Sequence, residues 1–174
     1  MKRTGLLAAA ASLILIGPAL AHDSAGPSDA EIAHIAYTAG AIDVAAGKQA
    51  LAKSHDAAVR SFAEEMVRDH QAVNDQALAL VKKLHVTPAA NGTSSALSSQ
   101  ADATLKRLAA FDGAAFDRAY VDNEIAYHKT VNGALESQLI PSAHNGELKS
   151  LLETGLTLFR EHQAHAEHLG ASLK

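Results

Sequence analysis

Cysteine and tryptophan are absent from this chain of 174 residues, and only four phenylalanines and three tyrosines supply its aromatic rings. Without cysteine the protein has no disulfide, no thiolate nucleophile and no cysteine-ligated zinc. No segment alternates apolar and polar residues over the length of a strand. Many alanines and leucines with few aromatics are typical of closely packed helices, so the sequence predicts an all-α protein.

Positive charge is also scarce. The chain has 15 basic and 19 acidic residues, for a formal net charge of −4 with neutral histidines. This balance argues against nucleic acid as a partner. No glycine-rich phosphate loop and no Ser/His/Asp spacing is present, so no hydrolase or transferase is predicted. An enzyme that performs redox chemistry on a bound metal ion is not excluded by these absences.

The first 21 residues are predicted to form a secretory signal peptide. Two basic residues precede a short apolar run, and Ala19-Leu20-Ala21 fits a small-residue cleavage site. Cleavage after Ala21 starts the mature chain at His22, in the periplasm, with a flexible stretch over 22–28. The alternative is a retained membrane anchor. No later apolar stretch is long enough to span a bilayer, so no transmembrane segment is expected after cleavage.

Apolar residues recur at helical spacing along the rest of the chain. Ser28 and Glu31 form a capping box before the first helix, and "VTPAANGTSS" has the composition of a loop. The connection of about 28 residues between the second and the fourth helix is long enough to travel the length of a bundle. The prediction is a ferritin-like four-helix bundle over 29–170, with one long crossover connection that carries a short extra helix. The predicted helices are 29–53, 56–85, 98–110, 114–139 and 147–169.

Five polar residues fall on the apolar faces of the four long helices, near the middle of each. Isolated burial of such groups costs several kcal/mol, so they must be paired with one another or with a metal ion. Imidazoles with carboxylates suit one Fe, Zn, Cu or Mn ion. A hydrogen-bonded polar layer without a metal is the alternative. The predicted metal ligands are Asp43, His70, Glu124, His128 and His162.

The stretch "LFREHQAHAEHL" holds three of the ten histidines, three residues apart. At about 100° per residue, His162 faces the core, His165 lies on the flank of the helix and His168 points to solvent. Of these three histidines, only His162 is therefore predicted to be a metal ligand. None of the three inward histidines has an acidic residue three positions earlier, so a di-iron carboxylate centre is not expected.

Three further polar residues are predicted to lie around the ligands. Asp69 precedes His70 and could accept a hydrogen bond from an imidazole, which would orient it. Asp117 and Tyr120 could form hydrogen bonds across the core or lie near the metal.

The chain resembles an exported bacterial family of unknown function, often labelled as outer membrane proteins and treated as ferritin-like in fold. The resemblance covers about residues 29–170. It is carried by Met66, Asp69 and His70, by Phe116, Asp117 and Tyr120, and by His162 of the last helix. His70, His128 and His162 match family histidines, and Asp43 stands where the family commonly has glutamate.

The resemblance implies fold and location more than activity. One hypothesis for the function is a transition metal bound in the core, for metal handling or for oxidative or envelope stress. The alternative is a non-catalytic structural or interaction module whose buried polar layer only sets the helix register. Whether subunits pair as a homo-oligomer is left open.

Overall fold

The computed structural model describes residues 26–173. This part of the chain is helical and contains no strand. The predicted signal peptide, its cleavage site and His22 lie outside it. The elements are α1 (Asp29–Lys53), α2 (Ala57–Lys83), α3 (Gly92–Ala109), α4 (Gly113–Ala134), a π-helical turn (Leu135–Leu139), α5 (Ile140–Ser142) and α6 (Gly146–Ser172). None of these helices combines the length and the apolar character that a membrane span requires.

Side-chain caps explain where the helices begin. Ser28 and Glu31 form the predicted capping box at α1. The Asp56 side chain accepts hydrogen bonds from the amides of Ala58 and Val59 at the start of α2. Such caps satisfy amide groups that have no partner inside the helix, and each contributes about 1 kcal/mol.

Four long helices form the bundle, and α3 crosses its length. α1 packs on α2, and α4 packs on α6. α3 lies along α1: the amide of Ala89, just before α3, donates to the Ala30 carbonyl, and Lys53 at the far end of α1 donates to the Ala109 carbonyl. α4 therefore starts at the opposite end of the bundle from the end of α2. This is the predicted crossover topology, and the all-α prediction is confirmed.

The predicted start of the extra helix at residue 98 is wrong. α3 begins at Gly92, because the side chains of Asn91 and Ser94 cap each other's backbone amides at 2.9 and 3.0 Å. Asn91 lies in the stretch that was predicted to be a loop, but it caps the start of a helix, because asparagine is among the strongest N-cap residues.

The fourth predicted helix also continues further than expected. It passes through the π-helical turn and ends at Ser142, one residue beyond Pro141. In a regular α-helix a proline ring meets the carbonyl four residues earlier. The wider turn directly before Pro141 lets the chain continue past it, which the spacing of apolar residues cannot reveal.

The apolar core is divided into two clusters along the bundle. Cluster A, toward the start of α2 and α4, contains the aromatic rings of Phe62, Phe116 and Tyr120 among aliphatic side chains. Cluster B, toward the start of α1 and α6, contains mainly aliphatic residues such as Ile32 and Leu152. A polar layer lies between the two clusters, because on each long helix a polar residue separates the apolar residues of the two ends.

Candidate metal site

The polar layer contains all five predicted ligands, one or two from each long helix. Asp43 lies on α1, His70 on α2, Glu124 and His128 on α4, and His162 on α6. Each is at most 3% exposed. The inward orientation expected from helical spacing is therefore present at all five positions.

Three imidazoles form a nearly equilateral triangle. The ring centroids of His70, His128 and His162 lie 5.3, 5.4 and 5.5 Å apart. One nitrogen from each ring lies within 4.8 Å of the other two. His70 Nε2 is 3.3 Å from His128 Nε2, so these two rings direct nitrogens toward the same point.

Asp43 adds an oxygen to this group of nitrogens. Its Oδ2 lies 3.4 Å from His70 Nε2 and 3.6 Å from His128 Nε2. A tetrahedral zinc bound at about 2.0–2.1 Å holds neighbouring ligand atoms about 3.3 Å apart. The spacing of these three atoms fits one transition metal ion, with room for only small adjustments of the side chains.

Neighbouring groups fix which nitrogen of two rings is free. His128 Nδ1 lies 3.0 Å from the Glu124 backbone oxygen, to which it must donate, so Nε2 keeps its lone pair. His162 Nε2 lies 3.1 Å from Asp69 Oδ2, which leaves its Nδ1 without a partner. Metal-binding histidines typically donate their other N–H to a carbonyl or a carboxylate in this way.

The carboxyl groups of Asp43 and Glu124 lie on one side of the layer. Each offers an oxygen within 4.8 Å of the other and of a nitrogen of His128. Both oxygens of Asp43 and the Oε2 of Glu124 are buried without a hydrogen-bond partner. The layer thus holds acceptor atoms that no residue in 26–173 satisfies, which is costly unless a proton or a cation is present.

Burial sets the charge of these groups in the absence of a metal ion. It raises the pKa of Asp43 to about 8 and, with the help of Asp43, raises the pKa of Glu124 well above its usual value. Burial lowers the pKa of His70 and His162, and that of His128 to about 4. Near neutral pH the metal-free layer is therefore largely uncharged.

Of the three residues predicted around the ligands, only Asp69 contacts a predicted ligand through a hydrogen bond. Asp69 orients His162 rather than the adjacent His70. The Arg68 guanidinium donates to the two Asp69 carboxylate oxygens at 2.8 and 3.0 Å. Burial raises the pKa of Asp69, but the hydrogen bonds from Arg68 and His162 outweigh burial and lower it.

Tyr120 and Asp117 are placed differently from Asp69. The Tyr120 hydroxyl is buried without a partner, and burial, followed by the charges of Glu124 and Asp43, raises its pKa well above the usual value. Asp117 lies further toward the start of α4, and its Oδ1 is also unpartnered. Within residues 26–173, neither forms a hydrogen bond with the five predicted ligands.

Two features of the site are absent from the sequence-based prediction. The ring of Phe159 stacks on that of His70, with centroids 4.5 Å apart. Glu65 lies on the outer side of the layer, where it forms a second carboxylate-histidine group with Asp69 and His162 and accepts from His165 Nδ1 at 2.7 Å. The spacing of Glu65 four residues before Asp69 is a signal that could have found it. His165 and His168 are both exposed, so only one histidine of the triplet belongs to the buried layer.

A family model described as a domain of unknown function, DUF4142, matches residues 17–169. The chain belongs to this family. The resemblance to a family of unknown function is confirmed, and no curated protein matches the DUF4142 chain.

A solved structure supports the fold. The DUF4142 chain is similar to a "putative secreted protein DUF305" from Streptomyces coelicolor, with a TM-score of 0.67 and 13% sequence identity. The similarity covers 81% of this chain and 90% of the other. At this identity it supports the all-α architecture and carries no conclusion about ligands.

Proposed function

We propose that this DUF4142 protein binds a transition metal ion in the core of its helical bundle. His70, His128 and His162 supply nitrogen ligands, and Asp43 supplies a carboxylate oxygen. Glu124 lies beside Asp43 and His128 and is a further carboxylate ligand. The observation that carries the proposal is the convergence of these five buried groups, whose inward atoms include several with no hydrogen-bond partner.

The donor set narrows the choice of ion. Three imidazoles and one or two carboxylates suit Zn, Cu, Fe or Mn, and the set has too many nitrogens for a dedicated calcium site. The carboxyl groups of Asp43 and Glu124, which are neutral in the metal-free layer, lose their protons when a cation binds there. The positive charge of the cation favours their ionised form. Such an ion would bind in exchange for protons.

We place this activity outside the cytoplasm, in metal handling or in defence against oxidative or envelope stress. The predicted signal peptide over 1–21 supports export, as does the fold shared with a protein described as secreted. Cell fractionation with mass determination of the mature chain tests this part. The expected result is a periplasmic protein that starts at His22, and a cytoplasmic full-length chain would contradict it.

The metal proposal is tested by metal content, measured by mass spectrometry on tag-free protein after reconstitution with Zn, Cu, Fe or Mn. About one ion per chain is expected for the wild type. His70→Ala/His162→Ala is expected to lose it, and His168→Ala is the matched control, because His168 is an exposed histidine on the same helix as His162.

Thermal melting with and without chelator is a second test of the site. A bound ion whose free concentration is a hundred times its Kd stabilises the folded state by about 2.7 kcal/mol. Chelator removes the ion and is therefore expected to lower the melting temperature of the wild type. His168→Ala is expected to show the same response. No ion in the wild type after reconstitution would overturn the proposal and leave the hydrogen-bonded layer as the explanation.

A further inference from the structure

A second feature of the bundle is independent of the polar layer. A cavity of about 470 Å³ lies within cluster B and is lined by α1, α2, α3, α4 and α6. Its rim includes exposed residues such as Thr93 and Gln138, so it reaches the surface. Closely packed interiors contain few voids larger than a water molecule, and ligand pockets span about 300–1,000 Å³. The cavity has the size of a binding pocket.

Small residues create this space. Ala36 on α1, Ala77 on α2 and Gly155 on α6 line the cavity where larger side chains would fill it. The rest of the wall is mainly Ile, Leu and Val, with Phe159 at the inner end next to His70. An apolar cavity of about 150 Å³ is already large enough to bind benzene.

One polar group stands out in the wall. Asn74 is 8% exposed and brings a side-chain amide to this wall. A Cβ at Gly40 would lie only 2.4 Å from Asn74 Oδ1, so the glycine makes the space in which the amide lies. The Asn74 amide can therefore pair with a hydrogen-bonding group of a ligand in the cavity, and one such bond contributes about 1 kcal/mol.

The charge of the wall selects among ligands. Glu31 is the one charged residue that lines the cavity in the described part of the chain, and its carboxylate accepts from the Ser28 amide at 2.9 Å. No described lysine, arginine or histidine lines the wall. An anionic ligand such as a fatty acid would therefore bring a charge into an apolar space without a counter-ion.

We propose that this cavity binds a neutral, largely apolar molecule that carries one hydrogen-bonding oxygen, which pairs with the Asn74 amide. Long-chain alcohols and alkyl phenols belong to this chemical class. The apolar part lies among the aliphatic residues of cluster B. Binding requires no metal in the polar layer, so this inference stands or fails independently of the proposed function.

Isothermal titration with 1-octanol and with octanoate at pH 8 tests the proposal. Octanol is expected to bind at one site per chain, at least tenfold more tightly than octanoate. Ala77→Phe fills the cavity and is expected to abolish octanol binding. Ala79→Phe is the matched control, because Ala79 is exposed on the same helix and does not line the cavity. Asn74→Leu is expected to weaken octanol binding about fivefold, the value of one hydrogen bond.

Several results would overturn the inference. No octanol binding to the wild type, or equal binding to Ala77→Phe, would mean that the cavity is not a ligand site. Octanoate binding as tightly as octanol would refute the neutral class, and an unchanged affinity in Asn74→Leu would remove Asn74 from the site. Circular dichroism melting checks that each variant folds, and Ala36→Leu replaces Ala77→Phe if the latter does not.

Discussion

In the metal-free protein, the Asp43→Asn substitution is expected to reduce the loss of stability between about pH 6.5 and pH 8. Burial raises the pKa of Asp43 from 3.8 to about 8, and it raises the pKa of Glu124 well above 4.5. Below pH 8 the folded chain keeps most of the Asp43 proton, whereas the unfolded chain has lost it, and the raised pKa of Glu124 acts in the same direction. Stability therefore falls as the pH rises.

The magnitude follows from the number of protons kept. Each proton bound by the folded but not by the unfolded chain lowers the unfolding free energy by up to about 1.4 kcal/mol per pH unit. The raised pKa of Asp43 gives a slope that approaches this value near pH 6.5 and falls to about half of it at pH 8, and Asp43→Asn removes this contribution. The buried histidines act in the opposite direction, because their pKa values are lowered, but their effect is confined to pH values below about 6.5.

Urea unfolding followed by circular dichroism, on protein treated with chelator, measures this slope from pH 6.5 to about pH 8. Asp75→Asn is the control, because Asp75 is an exposed carboxylate on α2. It is expected to keep the slope of the wild type. If Asp43→Asn also kept that slope, the Asp43 carboxyl would not be protonated in the folded state, and the description of an uncharged metal-free layer would be wrong.

Four further substitutions test other parts of the structure. Asp69→Asn is expected to weaken metal binding by about 10- to 100-fold in a competition titration with a chelator, because it removes the carboxylate that orients His162; an unchanged affinity would contradict this role. Gly47→Ala is expected to lower the melting temperature, since its Cβ would lie 2.8 Å from Val67 Cγ2 and 3.1 Å from a backbone oxygen. Gly133→Ala has open space around it and is expected to stabilise the fold by about 0.5–1 kcal/mol. Asn91→Ala is expected to cost about 1 kcal/mol in urea unfolding and to increase amide exchange in the first turn of α3, and unchanged exchange there would contradict the cap.

Helical periodicity explains why the inward faces could be predicted from the sequence. A residue's angle around its own helix depends only on local spacing, so Asp43, His70 and His162 could be placed toward the core without knowledge of their neighbours. Their burial in the structure follows from this spacing. Their role as metal ligands stays a prediction, since spacing does not determine what pairs with a buried group.

Contacts between helices were less accessible to the sequence. Asp69 orients His162, which is 93 positions away, rather than the adjacent His70, because the rotation and the offset of α6 against α2 decide which ring meets the carboxylate. The cavity was not predicted at all. It depends on small residues from several helices facing the same space, and alanines of one helix give no sign of what lies opposite.

The polar layer also predicts a conflict between stability and metal binding. Asp43 and Glu124 are fully buried and their inward oxygens lack partners in residues 26–173. In the metal-free chain, Asp43→Leu/Glu124→Met is therefore expected to raise the unfolding free energy, by about 1–4 kcal/mol, because apolar side chains of similar size replace unsatisfied polar groups. The same variant is expected to bind no metal.

Urea unfolding of both chains with and without zinc decides between the two interpretations of this layer. If the layer is a metal site, the double variant is more stable than the metal-free wild type and does not respond to zinc. If the layer only sets the helix register, the variant unfolds less cooperatively, with a lower dependence of the free energy on urea, because apolar substitutions let the helices pack in more than one way. The Asn132 side-chain amide donates to the Phe159 carbonyl at 3.3 Å, so a neutral hydrogen bond already fixes α4 against α6. The presence of two costly buried carboxyls is therefore easier to explain by a cation that they bind than by helix register alone.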